Sequence, residues 1–351
     1  MKTEILKIQS DNIDNEKIKY AAEVLRGGGL VAFPTETVYG LGADALDENA
    51  VNKIIEAKGM PSDNPLIVHI AGKEDVYGLA ANVPPKAQIL MDRFWPGPLT
   101  LVLEKSDKIP SVITAGLSTV GLRAPSHPIA LALIREAGIP IAAPSANLSG
   151  RPSPTVPKHV IDDLYGRVDV IIDGGNANIG VESTVLDVTA DVPVILRPGG
   201  VSFEQLKDVL KNVTMDPSLM KKPAGDFVPK APGMKYTHYS PKADVIVVEG
   251  EPEKVAEKIN SLIAEYQSKN IPVGVLATEQ TKEFYKSVPS ITLGDRLEPE
   301  TIAANLFKAF RDFDDIGIKV IFAEAIDNQG IGLAVMNRMK KAAGYNIIKA
   351  V

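Results

Sequence analysis

VAFPTETVYGLG (residues 31–42) decides the fold, because an apolar strand here runs into a loop rich in Pro, Thr and Gly. The same design recurs in VGLRAP (120–125) and in PIAAPSANLSG (140–150). In each segment the Pro and Gly residues stop the strand and open the backbone. Loops at strand ends carry polar groups that a rigid sheet holds still, which is where α/β proteins place ligands. The three segments therefore predict one ligand site built from several strand ends.

The composition sets the class of protein. A chain of 351 residues is too long for one ordinary core, so two domains are expected. The absence of Cys excludes disulfides, thiolate metal sites and a cysteine nucleophile. The net charge of −6 argues against a broad nucleic-acid-binding face, and no apolar run reaches the length of a membrane span. These features predict a cytoplasmic enzyme that does not bind a membrane.

The alternation of strand and helix patterns divides the chain into two domains. Before residue 214, apolar strand-like runs alternate with helical patterns in the way typical of a mixed α/β sheet. The stretch 214–243 contains five Pro and lacks apolar periodicity, which is typical of a linker. After it, strand patterns alternate with predicted helices over 252–268, 281–287, 301–313 and 332–343, and these repeated β–α units favour a small parallel sheet. The prediction is a mixed α/β domain over 1–213, a linker over 214–243 and a Rossmann-like α/β domain over 244–351.

The linker has an unusual composition for a tether. Between its prolines it carries Met234, Tyr236, His238 and Tyr239. A segment selected only for reach would consist of Gly, Ser or charged residues. Two interpretations remain open: these side chains dock the linker on a domain surface, or the segment crosses the ligand pocket as a lid that shields bound ligand from water.

Three basic residues stand beside loops in a region that is otherwise acidic. Residues 1–200 contain 24 Asp and Glu but only 18 Lys and Arg. Lys58, Arg123 and Arg197 each end a predicted helix or strand next to Pro or Gly. Their convergence predicts a local positive cleft suited to a phosphate or a carboxylate. Neither a P-loop nor a dinucleotide-binding fingerprint is present in the sequence to cradle the phosphates instead.

No pattern indicates covalent catalysis. The serines in the loops lack the G-x-S-x-G context of an activated nucleophile; they are Ser145, Ser149, Ser153 and Ser183. His69 lies on a predicted strand, where a core histidine is favoured over a catalytic base. Glu36 and Glu182 precede hydroxyl residues in matching TET and EST contexts, where each can order its own loop. Substrate positioning and charge stabilisation would therefore carry the reaction.

The motifs together resemble a known family. The similar segments keep their order and spacing, and they are PTETVYGLGADA, AKGMPSDNPLIVHI, FWPGPLTLVL, TVGLRAPSHP, PIAAPSANLSG, ESTVLD, ILRPGG and PGMKYTHYSP. They resemble the YrdC-like domain of threonylcarbamoyl-AMP synthases and, with the linker and the C-terminal β–α units, the long two-domain members. The resemblance implies a twisted mixed sheet with a concave cleft, followed by a Rossmann-like domain. It also implies that L-threonine, bicarbonate and ATP give threonylcarbamoyl-AMP for a tRNA threonylcarbamoyladenosine modification.

The resemblance implies a set of site residues. The threonine side falls on Thr37, His69, Arg123, the backbone at Ala143, and Ser183. The ATP side falls on Lys58, Met60, Asn64, Thr119, Ser145, Asn147, Ser153, Arg197, Tyr236 and Tyr239. Lys58 would act catalytically at the phosphates, together with magnesium that the ATP phosphates carry, and no side chain is implied as a metal ligand.

One position departs from the family pattern. The family usually has Lys-x-Arg where this chain has Lys58, Gly59 and Met60. Met60 carries no charge, and a hydrogen bond to a charged ligand contributes roughly 1.5–3 kcal/mol. The departure predicts an intact fold with reduced catalytic efficiency.

Three functions are consistent with the sequence. The synthase is the first, and its product would pass to a tRNA threonylcarbamoyl transferase as the downstream partner. The second is a related carbamoyl-transfer enzyme, although such members add zinc-finger or kinase-like modules that this Cys-free chain lacks. The third is a non-catalytic RNA-binding module, which the acidic charge balance disfavours.

Overall fold

The structure is a computed structural model that describes residues 2–219, 229–232, 234 and 239–351. Two compact units divide the chain. The first comprises residues 1–149 and 153–235, and the second comprises residues 150–152 and 236–351. The domain and linker bounds given above from the sequence stay a prediction. Tyr236 and His238 of the predicted lid lie outside the described residues.

The first unit is built on a mixed sheet, which among the described residues has 11 strands. In chain order they are β1 (Glu4–Lys7), β2 (Val31–Phe33), β3 (Gly40–Asp44), β4 (Ile67–His69), β5 (Leu99–Glu104), β6 (Thr119–Arg123), β7 (Ile141–Ala142), β8 (Val170–Asp173), β9 (Thr184–Asp187), β10 (Val194–Arg197) and β11 (Thr214–Met215). Their spatial order is β1-β8-β2-β3-β7-β4-β6-β5-β9-β10-β11. Parallel and antiparallel pairs both occur, for example β4 with β6 and β5 with β6, so the predicted mixed α/β sheet is confirmed.

Helices cover this sheet and complete two apolar cores. They are α1 (Asn15–Arg26), α2 (Glu48–Lys58), α3 (Val76–Leu79), α4 (Pro85–Phe94), α5 (Ser111–Thr114), α6 (Pro128–Ala137), α7 (Pro157–Leu164) and α8 (Phe203–Leu210). Successive residues of β2 point into opposite cores, since Ala32 joins one cluster while Val31 and Phe33 join the other. Both faces of the sheet are therefore buried, which leaves the strand ends as the place where polar groups gather.

The first unit extends into the stretch predicted as linker. β11 pairs in parallel with β10, with Val194 opposite Thr214, and a short 3-10 turn follows at Pro217–Leu219. Two-residue pairing of this kind leaves no apolar period in the sequence, so periodicity could not have indicated it.

The second unit contains a parallel sheet flanked by helices. Its strands are β12 (Asp244–Glu249), β13 (Val273–Ala277), β14 (Ser290–Thr292), β15 (Val320–Glu324) and β16 (Ile347–Lys349), in the spatial order β14-β13-β15-β12-β16. Its helices are α9 (Pro252–Ser268), α10 (Pro299–Asp315) and α11 (Gly332–Ala342). Every strand pair is parallel, which confirms the predicted Rossmann-like architecture.

One predicted helix of the second unit is wrong. The sequence pattern indicated a helix over 281–287, but only a 3-10 turn forms at Lys282–Phe284. The side chains of Thr281 and Tyr285 both bond to the carboxylate of Glu324, and these bonds draw the turn onto β15.

Among the helices of the described residues, none combines the length and apolar character needed to cross a membrane.

Candidate active site

The loop between β2 and β3 is folded by one threonine. The hydroxyl of Thr35 donates to the carbonyl of Val38 at 2.6 Å and accepts from the backbone N–H of Thr37 and of Val38, at 3.2 and 3.3 Å. A hydroxyl that bonds its own backbone two and three residues on gives a compact turn. The turn holds Glu36 and Thr37 with their side chains buried.

Arg123, the last residue of β6, is the cation against which this loop packs. It is 4% exposed. Its Nε donates to the carbonyl of Gly97 at 3.2 Å, its Nη1 to the hydroxyl of Thr37 at 3.0 Å, and its Nη2 to Oε1 of Glu36 at 2.6 Å. A guanidinium has five N–H groups, so two of them, one on each terminal nitrogen, have no partner among the described residues. Two N–H groups are what a carboxylate needs for a bidentate contact.

Glu36 is the counter-ion of Arg123. Burial alone would raise the pKa of its carboxyl group, but the charge and hydrogen bond of Arg123 outweigh burial and lower the pKa below its ordinary value. Glu36 is therefore ionised at neutral pH. Its other oxygen, Oε2, is buried and has no hydrogen-bond partner among the described residues.

His69 lies beside Arg123 because β4 and β6 are parallel neighbours that place the two residues in register. Burial, and then the positive charges of Arg123 and Arg197, lower the pKa of His69 to about 3. The imidazole is therefore neutral at pH 7 and can only donate or accept a hydrogen bond. Its ring meets the edge of Phe33 at 6.4 Å, and its Nδ1 has no partner among the described residues. The residue is both a core histidine and a member of the polar cluster.

A second arginine joins this cluster from β10. Nη2 of Arg197 donates to the hydroxyl and to the carbonyl of Ser183, at 3.1 and 3.0 Å. The hydroxyl of Ser183 also bonds that of Thr100 at 2.8 Å. The positive charges of Arg123 and Arg197 both lower the pKa of His69, so the two arginines lie near the same imidazole. Their convergence with Lys58 into one positive cleft stays a prediction.

Lys58 is placed by the end of α2. Gly59 takes the left-handed conformation, with φ of 62°, and ends the helix there. The Lys58 side chain is buried, and its ammonium donates to the carbonyl oxygens of Ser145 and, at 2.6 Å, Asn147. The predicted phosphate-side lysine thus braces the loop that carries two further residues predicted for ATP.

A second buried glutamate supports the same region. Oε1 of Glu182 accepts from the hydroxyl of Ser153 at 2.5 Å, and both residues are buried. The remaining predicted residues lie at the edges of these strands. The backbone N–H of Ala143 bonds the carbonyl of Ile67 at 3.0 Å. Asn64 is buried, with its Oδ1 unpartnered in the described part of the chain.

Thr119 and Met60 occupy half-buried positions near the same strands. Thr119 opens β6, where it is paired with Glu104 of β5. The backbone N–H of Met60 bonds the carbonyl of Ile55 at 3.1 Å, and its side chain packs against the apolar core.

The described linker residues contact the first unit. The carbonyl of Pro232 accepts from Nη1 of Arg197 at 3.3 Å. Ala231 and Met234 are buried in an apolar cluster with Val102 and Val185 of the sheet. The segment therefore lies beside one of the two arginines predicted for the site.

Tyr239 lies in the second unit. Its φ is 70°, its ring stacks on Phe307 at 5.3 Å, and the guanidinium of Arg338 lies 5.4 Å from the ring centre. The structure thus gives this side chain a buried aromatic and cationic setting in its own unit. Its predicted contact with ATP stays a prediction.

Sequence reasoning gave too little weight to two acidic side chains. Glu36 and Glu182 were expected only to order their own loops, but each bonds a predicted site residue from a distant segment, Arg123 and Ser153. Their matching positions before Thr37 and Ser183 were the signal that could have indicated this. In the part of the chain that the structure describes, no cluster of three or more His, Cys, Asp or Glu side chains could hold a metal ion.

Comparison with protein families covers both units. The family model described as "Telomere recombination" matches residues 23–199. The model described as "Threonylcarbamoyl-AMP synthase, C-terminal domain" matches residues 201–344. Together they account for nearly the whole chain.

Individual relatives match over nearly their full length. The threonylcarbamoyl-AMP synthase of Pyrococcus abyssi is 54% identical over 97% of this chain and 97% of its own, and that of Bacillus subtilis is 51% identical over 96% and 95%. The crystal structure of Pyrococcus abyssi Sua5 complexed with L-threonine superposes with a TM-score of 0.95 at 53% identity, covering 99% of this chain and all of the other. The resemblance drawn from the motifs is confirmed, and the chain belongs to the threonylcarbamoyl-AMP synthase family.

Proposed function

We propose that this chain is an L-threonylcarbamoyladenylate synthase, which converts L-threonine, bicarbonate and ATP into threonylcarbamoyl-AMP, pyrophosphate and water. The observation that carries the proposal is the buried guanidinium of Arg123, which offers two N–H groups at a strand end. A relative with 53% identity was crystallised with L-threonine, whose carboxylate suits such a group.

The reaction has two steps. The amine of threonine attacks the carbon of bicarbonate, and loss of water leaves a carbamate. A carbamate oxygen then attacks the α-phosphorus of ATP, and the bond to pyrophosphate breaks. The described site offers no activated nucleophile of its own, so its contribution is orientation and charge stabilisation.

The threonine side would be formed by residues around Arg123. Arg123 would hold the carboxylate, while the hydroxyls of Thr37 and Ser183 and the backbone at Ala143 orient the rest of the substrate. His69, neutral at pH 7 because its pKa is about 3, would serve as a hydrogen-bonding group and not as a cation.

The ATP side would be formed by the segment that Lys58 braces, together with Arg197. Lys58 holds the carbonyls of Ser145 and Asn147, and its positive charge lies close to where phosphates would bind. The nucleotide would enter as its magnesium complex, with the metal carried by the phosphates. Asn64, Thr119 and Ser153 would complete this side.

The linker would close over the pocket. Pro232 already bonds Arg197, and Met234 is buried against the sheet. Because a carbamate breaks down quickly in water, a cover that excludes solvent has a clear purpose. The catalytic chemistry would then belong to residues 1–213 with the lid over 214–243, and the product would pass to a tRNA threonylcarbamoyl transferase in the cytoplasm.

Met60 would lower the efficiency of the enzyme. Family members usually carry Arg at this place, and a methionine side chain cannot share the phosphate charge with Lys58. The half-buried packing of Met60 supports an intact fold with a slower reaction.

The test is the release of pyrophosphate from ATP. We expect release only when L-threonine and bicarbonate are both present, with threonylcarbamoyl-AMP detected by mass spectrometry. Release that needs neither compound, or only one of them, would contradict the proposal. Tight RNA binding without any release would favour a non-catalytic module.

A further inference from the structure

We propose that Glu36 is a positioning residue for threonine recognition, which acts by fixing the guanidinium of Arg123. The proposal rests on the assignment of Arg123 to the threonine carboxylate given above. Glu36 would not touch the substrate; it would decide where the two open N–H groups of Arg123 point.

The geometry around Arg123 supports this role. Three contacts hold the guanidinium at three different nitrogens: Gly97 at Nε, Thr37 at Nη1 and Glu36 at Nη2. The contact with Glu36 is the shortest, at 2.6 Å, and the only one to a charged group. A planar group held at three points cannot turn about its side-chain bonds, so the orientation of its remaining N–H groups is fixed.

Glu36 is itself held by a neighbouring loop. The backbone N–H of Ile179 donates to the carbonyl of Glu36 at 2.8 Å, and that of Gly180 donates to the carbonyl of Thr37 at 3.1 Å. Both partners of Arg123 on this loop therefore have fixed backbones. The Glu36 side chain is 9% exposed, and its Oε1 is engaged by Arg123.

Charge supplies the second reason. Arg123 is buried before any substrate arrives, and a buried guanidinium without a counter-ion is strongly unfavourable. Glu36 supplies the negative charge in the free enzyme while leaving two N–H groups open. The site is thus prepared to take a carboxylate without having to reorganise.

The competing explanation is that Glu36 serves only the stability of the fold. The chain offers a matched control for this in the second unit, where the buried carboxylate of Glu324 bonds Arg296 at 3.0 Å. Removal of either glutamate leaves an arginine without its counter-ion, but only Glu36 is placed at the proposed threonine site.

The experiment measures the dissociation constants of L-threonine and of a non-hydrolysable ATP analogue by calorimetry in the full chain. The variants are Glu36→Ala, Glu36→Gln and Glu324→Ala. We expect Glu36→Ala to weaken threonine binding by about tenfold or more, as for the loss of a charge-assisted hydrogen bond. Its affinity for the ATP analogue should stay within about threefold. Glu36→Gln keeps an oxygen acceptor of the same reach but not the negative charge, so it should recover part of the threonine affinity. Glu324→Ala should leave threonine binding unchanged.

Several results would overturn the proposal. These are unchanged or tighter threonine binding in Glu36→Ala, a parallel loss of both ligands in that variant, and a Glu36→Gln variant as weak as Glu36→Ala. An equal threonine loss in Glu324→Ala would also overturn it, because the effect would then be a general one.

A readout without ligand separates this proposal from the proposed function. The Nε–H signal of Arg123 in nitrogen-15 spectra should be sharp and slow to exchange in the wild-type chain and in Glu36→Gln, and should be lost in Glu36→Ala. If the wild-type chain binds no threonine, the proposed function fails, and this signal still decides whether Glu36 positions Arg123. A signal that persists in Glu36→Ala overturns the positioning role.

Discussion

The two units each contain a buried glutamate paired with an arginine, and the pairs differ in how many oxygens of the carboxylate are bonded. In the second unit, Oε2 of Glu324 accepts from the hydroxyls of Thr278 and Thr281 and from Arg296, while Oε1 accepts from Tyr285. Arg296 additionally bonds Thr278 and the carbonyl of Ala325. Both oxygens of this carboxylate are bonded, so the network is closed.

The pair in the first unit is open by contrast. Glu36 bonds Arg123 through one oxygen only, and its other oxygen is buried without a partner in the described chain. Arg123 and Arg296 each make one contact from each of their three nitrogens, but the Arg123 side chain is 4% exposed and that of Arg296 is 18% exposed. Water can therefore reach the remaining N–H groups of Arg296 more easily than those of Arg123. A buried polar group left unsatisfied lowers stability, so an open pair is retained where a ligand completes it. The comparison teaches that a closed pair holds a fold together, whereas an open pair at a strand end marks a site.

The largest expected difference between the two units is the effect on turnover of replacing each arginine by alanine. Arg123→Ala should weaken threonine-dependent turnover by at least about a hundredfold, because two charge-assisted hydrogen bonds to the carboxylate are lost. Binding of ATP, measured by calorimetry, should remain largely in place. Arg296→Ala is the matched control, which should lose stability and keep its turnover per folded molecule. An equal loss of ATP affinity in Arg123→Ala would show that its assignment to threonine is wrong.

Among these variants, Glu324→Ala should lower the free energy of unfolding the most. Glu324→Ala leaves Arg296, Tyr285 and two threonine hydroxyls without their acceptor. Breaking a buried pair in this way costs about 3–5 kcal/mol. Hydrogen exchange of the amides in β13 and β15 measures the change within the second unit. A cost below about 1 kcal/mol would mean that water replaces the carboxylate, and the network would then not be closed.

The two units should also respond differently to acid. The pKa of His69 is about 3 in the folded chain against an ordinary 6.5, so the unfolded chain takes up the proton first. Its contribution to stability is complete above pH 6.5 and falls by up to about 1.4 kcal/mol per pH unit as the pH drops toward 3. Burial lowers the pKa of His127 as well, in the same direction. Residues 239–351 contain no histidine.

The fluorescence of Trp95, the one tryptophan of the chain, measures unfolding of the first unit in urea. Titration between pH 7 and pH 5 avoids Glu36, whose lowered pKa affects stability only below about 4.5. We expect His69→Gln to flatten the pH dependence of unfolding. If His69→Gln shows the same slope as the wild type, His69 takes up its proton near the ordinary pKa and is not buried as described.

The sequence predicts one member of the open pair, Arg123, but neither member of the closed pair, Glu324 and Arg296. Arg123 was found because a strand pattern ended at it beside Pro and because a family motif surrounds it. For its partner Glu36 the sequence predicts only that it can order its own loop, since 87 positions separate it from Arg123 and nothing local shows that they meet. Strand pairing brings them together, and pairing of distant strands leaves no trace in one sequence.

The closed network was missed for the same reason. Thr278, Tyr285 and Glu324 come from three segments, and the helix predicted over 281–287 was wrong because those segments bond to one another. The regular elements of the second unit were predicted well, since α9 and α10 have long amphipathic periods. Patterns of periodicity thus predicted the scaffold, whereas the polar contacts that specify loops and sites required the three-dimensional structure.

The smallest expected effect is that of Met60→Arg, a variant that tests whether the proposed phosphate site lacks one positive charge. Met60 follows Lys58 and Gly59 at the end of α2, and Lys58 is engaged with the loop of Ser145 and Asn147. If the phosphates bind beside this loop, Met60→Arg adds a guanidinium that can share their charge. One additional charge-assisted bond in the transition state should raise the rate of adenylate formation about tenfold.

The stability cost of Met60→Arg should be below about 1 kcal/mol, because the position is half-buried and a long side chain can extend to solvent. Steady-state kinetics at saturating threonine and bicarbonate measure the gain, with Met60→Leu as the uncharged control of similar size. If Met60→Arg is no faster than Met60→Leu and binds ATP no more tightly, Lys58 alone serves the phosphates. In that case, the methionine at position 60 does not lower the rate of adenylate formation.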